Sequence, residues 1–415
     1  MTPNRRHRSP SPNTSAPRPL IDLSPLLRPA LYNQIPTAGI PPPFLHSANQ
    51  LPPDTPLSTL LSAGHFRAAA EKAADTLSSG LDISPLDIPR ILSLFHTRLA
   101  TLVLLSHAEL AAKEARAFLD ILAREAGSAS QPSSRATSRE RRSPIGAPIG
   151  AARGAGERTN PLALIPWDLR LLLERLKTVL VNDKRRGIMG LYQLGSECRV
   201  QAAAAAKTGD DDSRAVWSAR LLDLGIRVAA ELVDMGEFET ALRHLETLER
   251  GIEAADLEAR TRMAVRRALL YLKMGNLEAA EKCFEGSDVA ATEVLVLRAL
   301  GLMAEGDYDA AAAALEPLRR THPDDELVRQ NLAVCLLYAG DITAASEMLE
   351  GLVDGTEESG GTGKTFTGLL FNLATIYELR TERARDRKVV LVERLAERDA
   401  ADGAGYERRG VEFKL

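Results

Sequence analysis

At 415 residues, 45% of them hydrophobic, the chain can hold two or three domains with a sizeable core, and its net charge of −4 gives no global field for nucleic acid. Aromatic residues make up only 4% while Ala and Leu abound, a balance that favours close-packed helices over a β-sandwich. Cys198, Cys283 and Cys335 lie far apart with no CxxC spacing, which argues against disulfides and zinc and for reduced thiols in a cytosolic protein.

In chain order, residues 1–55 hold most of the 23 prolines, Pro41-Pro42-Pro43 among them, and are expected to be disordered or polyproline-like. The opening MTPNRRHRSPSPNTSAPRPL has no apolar stretch for a secretory signal. Pro10, Pro12, Pro17 and Pro19 also forbid the amphipathic helix of a mitochondrial transit peptide. No apolar run approaches the roughly 18 residues of a membrane span. From residue 56 to 126 the pattern is helical. Residues 127–158 are rich in Ser, Gly and Arg, without apolar periodicity, and are expected to be a disordered linker. Helical pattern returns over 159–398, with QAAAAAKTGDDDS (201–213) expected as an interruption, and 399–415 as a C-terminal tail. Strand signals are nearly absent, so the expected fold is all-α.

An internal repeat sets the architecture. MGEFETALRHLETL, MGNLEAAEKCFEG, EGDYDAAAAALEPL and AGDITAASEMLEGL align on Gly236, Gly275, Gly306 and Gly340. Five residues on stand Ala241, Ala280, Ala311 and Ala345; nine on, Leu245, Phe284, Leu315 and Leu349. Seven residues before the glycines stand Ala229, Ala268, Ala299 and Ala333, and four before, Leu232, Tyr271, Leu302 and Leu336. The glycine permits a tight turn between two antiparallel helices, and the alanines fit where those helices approach most closely. Ala311 is expected at such a contact and Ala314 further from it. The unequal spacing predicts a longer turn near RGIEAADLEAR and a shortened helix around EGSDVAATE. A fifth, degenerate copy is expected at Gly64, Phe66, Ala69 and Ala73. The pattern resembles the tetratricopeptide repeat, a helix–turn–helix unit that stacks into a superhelix, so the expected fold is an all-α, tetratricopeptide-like helical hairpin solenoid.

Gly363-Lys364-Thr365, within EESGGTGKTFTG (357–368), reproduces the end of a nucleotide-binding P-loop. No strand precedes it, and position 358, where the first glycine belongs, is Glu358. It is expected to be a solvated loop between repeats. His65, His96, His107, His244 and His322 show no metal-ligand spacing, and no catalytic motif appears. No catalytic, cofactor-binding or metal-binding residue is therefore expected. Basic stretches such as RRGIMGLYQLGSECR are interleaved with apolar and acidic residues and read as solvated faces. Trp167, behind Pro166 in NPLALIPWDLRLLLERL, reads first as a helix-start anchor, with a partner contact as the alternative.

Three stretches resemble the family of subunit twelve of the trafficking protein particle (TRAPP) complex. They are LSTLLSAGHFRAAAEKAADTL with the helix after it; NPLALIPWDLRLLLERLKTVL, on Pro166, Trp167, Leu169 and Arg170; and the closing stretch, on Asn331, Leu332, Ala333, Asn372, Leu373, Ala374, Tyr377 and Glu378. The resemblance implies a non-catalytic adaptor in a TRAPP III-like tethering complex between endoplasmic reticulum and Golgi. Its partners would be other TRAPP subunits, with indirect association with a Rab GTPase and early secretory membranes, and neither nucleic acid nor a small-molecule substrate. The protein would be cytoplasmic and peripherally membrane-associated. The competing expectation is a generic tetratricopeptide adaptor or co-chaperone that captures a partner's carboxylate, with Asn331 and Asn372 as candidates. The apolar run Val389–Val392 with Leu395 is expected to pack partly on the preceding helix pair and partly against a partner subunit.

Overall fold

The computed structural model describes residues 21–79, 83–130, 164–253, 256–283, 292–323, 325–355, 363–400 and 405–415. Among these there are seventeen α-helices and no strand. A short helix α1 (Pro42–Leu45) precedes eight antiparallel hairpins. They are α2 (Leu57–Ser62) with α3 (Phe66–Ser78), α4 (Ile88–Leu104) with α5 (Ala108–Ser130), α6 (Trp167–Val181) with α7 (Lys184–Thr208), and α8 (Asp211–Asp234) with α9 (Phe238–Arg250). Then follow α10 (Leu257–Lys273) with α11 (Leu277–Lys282), α12 (Thr292–Glu305) with α13 (Tyr308–Thr321), α14 (Glu326–Tyr338) with α15 (Ile342–Asp354), and α16 (Thr367–Arg380) with α17 (Ala384–Ala396). The fold is an all-α, tetratricopeptide-like solenoid.

The turn glycines Gly64, Gly236, Gly275, Gly306 and Gly340 all take positive φ, between 72° and 96°. After each one, the next residue donates its N–H to the carbonyl four residues before the glycine, as in Glu237 to Leu232 (2.9 Å) and Asp341 to Leu336 (2.9 Å). This is a Schellman closure, which satisfies carbonyls at the end of the first helix while reversing the chain. Asn276, Asp307 and Asp341, directly after their glycines, then cap the second helix by accepting an N–H three residues on. The register alanines Ala268, Ala299, Ala311, Ala333 and Ala345 are fully buried. The shortened helix is α11, six residues long, and the longer turn lies between α9 and α10.

A further copy of the same turn escapes a search keyed on glycine. Ser106 takes φ 63° between α4 and α5, and His107 donates to Leu102 at 2.8 Å. Ala111 and Ala115, five and nine residues on, are fully buried, as is Leu99 seven before. Serine here bears the strain of a left-handed backbone that glycine adopts freely.

Four expectations are corrected. Residues 21–55 are not coreless. Ile21, Leu23 and Leu26 are buried with α3 to α6, and Phe44 is buried at the far end of the solenoid. The prolines serve as starts of short helical turns, Ser24–Leu27, Pro29–Leu31 and α1, where a fixed φ is favourable; residues 1–20 lie outside the described residues. The stretch 201–213 does not interrupt a helix at its start. Its alanine run carries α7 to Thr208, Gly209 ends the helix at φ 72°, and Asp210 caps α8 through the Ser213 N–H. Of the linker expected at 127–158, residues 127–130 are helical, because α5 runs to Ser130; residues 131–158 lie outside the described residues. The helical segments on its two sides are one packing unit, since Ile91, Phe95, Phe118, Leu169 and Leu173 share one core.

Ala311→Trp is expected to lower stability by about 1–3 kcal/mol or more, because an indole cannot enter a filled helix contact. Ala313→Trp, on the exposed face of the same helix, is expected to change it by no more than about 0.5 kcal/mol. Ser106→Gly is expected to stabilise the chain by up to about 1 kcal/mol by relieving the left-handed strain. Thermal or urea unfolding of the three variants checks both points.

Candidate functional site

The N-terminal arm and the C-terminal segment meet, and the seam between them holds a cavity. Its N-terminal wall depends on a buried ion pair. Arg98 on α4 donates to both carboxylate oxygens of Glu114 on α5 at 3.0 and 2.8 Å, with both side chains essentially inaccessible. A buried pair survives only when its remaining hydrogen-bonding capacity is used. Arg98 also donates to the Asn33 carbonyl at 2.7 Å, and Glu114 accepts the Asn33 N–H at 3.0 Å. The pair thereby clamps the N-terminal arm across the hairpin.

Beyond the clamp the arm crosses to the C-terminal repeats. Phe44 lies edge-on to Tyr406 (centroids 6.0 Å apart) and beside Phe413 (6.3 Å). The Ser47 hydroxyl donates to Ala396 at 2.6 Å, and the Gly410 N–H donates to Gly39 at 2.7 Å. The C-terminal residues reach back in turn. Tyr406 donates its N–H to Gly64 at 2.9 Å, and Arg67 forms a two-pronged pair with Glu407, closest approach 2.6 Å. Lys388, almost fully buried, is held by Glu378 and the Lys414 carbonyl.

This closure corrects the expectation for the last helix. Leu391, Val392 and Leu395 of α17 are buried under the chain's own α1 and C-terminal segment, so they offer no face to a partner. Val389 and Val390 of that run remain exposed, at 39% and 59%.

The cavity measures about 820 Å³. Apolar residues of the arm, the α2–α3 and α4–α5 turns and α14 line one part of it; Arg67, Lys364, Arg408 and Arg409 bring positive charge, and Glu326, Glu407 and Glu412 negative. Lys364 is half-buried at this wall, not in a free solvated loop. Its N–H donates to Leu352 at 2.9 Å, and Arg408 grips the carbonyl and hydroxyl of Thr365. Residues 356–362 of the P-loop-like stretch lie outside the described residues.

The remaining singled-out residues fall elsewhere. Trp167 stands at right angles to Trp217 (5.9 Å), with Arg220 over both rings and Arg170, paired to Glu197, over the first. The indole is thus built into the junction of α6, α7 and α8 as a packing anchor. Asn331 and Asn372 are half-buried, line no part of the cavity, and share no hydrogen bond among the described residues. His244 contacts the Gly225 carbonyl at 3.1 Å, and His322 approaches the Thr292 hydroxyl. Among the described residues no group of three or more His, Cys, Asp or Glu could hold a metal, and no helix is long and apolar enough to cross a membrane. The seam itself went unseen in the sequence; its only signal was Phe44, Tyr406 and Phe413, aromatic residues in otherwise polar or Pro-rich text.

A family model described as tetratricopeptide repeat matches residues 302–357, the α12–α15 region. The chain is similar to trafficking protein particle complex subunit 12 of Mus musculus, 27% identical over 169 residues, 40% of this chain and 17% of that protein. It is also similar to the Homo sapiens protein of the same name, 26% identical over 136 residues, 31% of this chain and 18% of that one. The matched region is thus less than a fifth of those relatives' length. Among solved structures, a tetratricopeptide repeat protein from Parabacteroides merdae aligns at TM-score 0.37 and 14% identity, over 74% of this chain and 99% of that one. The P58(IPK) TPR domain aligns at 0.21 and 13%, over 82% and 94%.

His65, in the turn before α3, stacks on Tyr406 with ring centres 4.5 Å apart. Burial lowers its pKa, against the opposing pull of Glu407 and Asp399. The unfolded chain therefore takes up the proton first. Stability from this site is complete above the unfolded value of about 6.5 and is lost as pH falls through the lowered folded value. His65→Gln is expected to flatten the fall in melting temperature between about pH 7 and 5 relative to the unsubstituted chain. An unchanged pH profile would locate the acid sensitivity elsewhere.

Proposed function

We propose that this chain is a non-catalytic scaffold subunit of a TRAPP III-like vesicle-tethering assembly, acting between endoplasmic reticulum and Golgi. Similarity to subunit 12 of the trafficking protein particle complex in two mammals is the observation that carries this reading. The architecture supports the scaffold part of it. Stacked hairpins expose long faces to partners, and Asn276, Asp307 and Asp341 serve as helix caps while Arg98 and Glu114 are held in the packing of α4 and α5. On this reading the chain is cytoplasmic, reaches membranes through its partners, and contributes no residue to nucleotide exchange on a Rab GTPase. It requires no cofactor, metal, nucleic acid or small-molecule substrate.

Tagged full-length chain purified from its native cells is expected to bring down small tethering-complex subunits at near-equal yield, identified by mass spectrometry. Recovery of chaperones in their place, together with binding of chaperone-type acidic carboxyl-terminal peptides, would favour the co-chaperone reading and sink the tethering one.

A further inference from the structure

The start of α13 packs on the end of α14 through two tyrosines. Tyr308, the first residue of α13, and Tyr338, the last of α14, lie parallel, with ring centres 4.4 Å apart and 9° between the planes. They occupy places that recur along the stack, two residues after the turn glycine of one repeat and two before that of the next. Where α9 meets α10 the same two places hold Phe238 and Lys273, and there the ammonium group lies over the ring, 5.8 Å from its centre. Tyr338 has a ring on one side and water on the rest. It is the most exposed aromatic residue among the described ones, at 64%. A ring already held by a parallel neighbour is a preformed stacking surface, because adding a planar group to it orders little that is not ordered already.

Carboxylates are fixed next to this pair. Asp307, directly before Tyr308, accepts the Ala310 N–H at 2.9 Å, and Asp341, in the turn after Tyr338, accepts the Ala344 N–H at 3.0 Å. Capping holds each side chain in place without neutralising it. Glu305 and Asp309 are exposed in the same turn as Tyr308 and form no ion pair among the described residues. No Lys or Arg occurs from residue 299 to 318 or from 331 to 363. The nearest cations along the chain are Arg298, midway along α12, and Arg319 and Arg320, in the last turn of α13, where both pair with Glu316. The edge therefore presents an aromatic face in a field of negative charge. Such a field repels nucleic acid and anionic lipid and attracts a cationic group.

Of the two cationic side chains, arginine suits both features. Its guanidinium is planar and weakly hydrated, so it lies flat on an aromatic ring and keeps its charge there, whereas an ammonium group is a compact, strongly hydrated point charge. The stack itself places a cation on a ring where α9 meets α10, and at Tyr338 the chain supplies none. We infer that the Tyr308–Tyr338 edge docks an arginine-bearing extended segment of a protein partner, its guanidinium stacked on the open part of Tyr338 and its charge balanced by Asp307 and Asp341. The edge shares no residue with the lining of the seam cavity. The inference goes beyond the tethering reading and holds for any protein partner, tethering subunit or not.

The test uses the full chain and three fluorescent nine-residue glycine–serine peptides carrying two arginines, two lysines or two glutamates, titrated at low salt. The arginine peptide is expected to bind, the lysine peptide to bind about threefold more weakly, and the glutamate peptide not to bind. Tyr338→Ala should weaken arginine-peptide binding about threefold to fivefold, while Tyr338→Phe, which keeps the ring, should not. Asp307→Asn combined with Asp341→Asn keeps both caps, since asparagine caps as well as aspartate, and should weaken binding by about the same factor with little change in melting temperature. The inference is overturned if the arginine peptide does not bind, if the lysine or glutamate peptide binds equally well, or if neither Tyr338→Ala nor the double variant weakens binding. Self-association of the chain that Tyr338→Ala abolishes would also overturn it, by assigning the edge to a second copy. No tethering subunit enters the assay, so failure of this inference and failure of the tethering reading are read separately.

Discussion

Six of the eight hairpins of the solenoid share one closure: a left-handed residue at the turn, and the next N–H bonded to the carbonyl five residues behind it. That bond fixes where the first helix stops and in which direction the second departs. Once the direction is set, the residues five and nine positions on must meet the first helix, and alanine at the nearer position lets the axes approach. Stacking then follows from the apolar stripe that each pair cannot bury alone.

This explains which parts of the fold were legible in the sequence. The repeats were, since their determinants lie within about sixteen residues of one another and recur. Ser106 was missed because glycine was taken as the mark of the turn, whereas the mark is the left-handed backbone with alanine five residues on; serine can occupy it under strain. The stretch before Asp210, expected as an interruption, is a run of alanines, among the strongest of helix formers, and so continues α7. The arm was illegible for a different reason. Its prolines cannot support regular hydrogen bonding, but an extended strut needs none; Ile21, Leu23 and Leu26 are buried against α3 to α6, and Phe44 against helices more than 300 positions away.

The candidate site was illegible for the same reason. Lys364 was weighed only against a nucleotide-binding motif, and the motif fails on its own terms. What gives the lysine its surroundings is Arg408, which grips Thr365, and the arm, brought to it by the seam, and no local pattern announces a contact between residues 39 and 410. Sequence reasoning on solenoids treats each repeat as knowing only its neighbours, which is sound for the stack and silent about its ends.

Closure of the ends changes the physics of the array. Pairs such as α14–α15 are made of local contacts and can form early, while the seam joins groups about 350 residues apart and must form after the stack has placed them. The entropic cost of joining them grows only slowly with that separation, so it is the stack's geometry, not chain length, that permits the contact. The aromatic cluster of Phe44, Tyr406 and Phe413 and the Arg67–Glu407 pair then hold the junction.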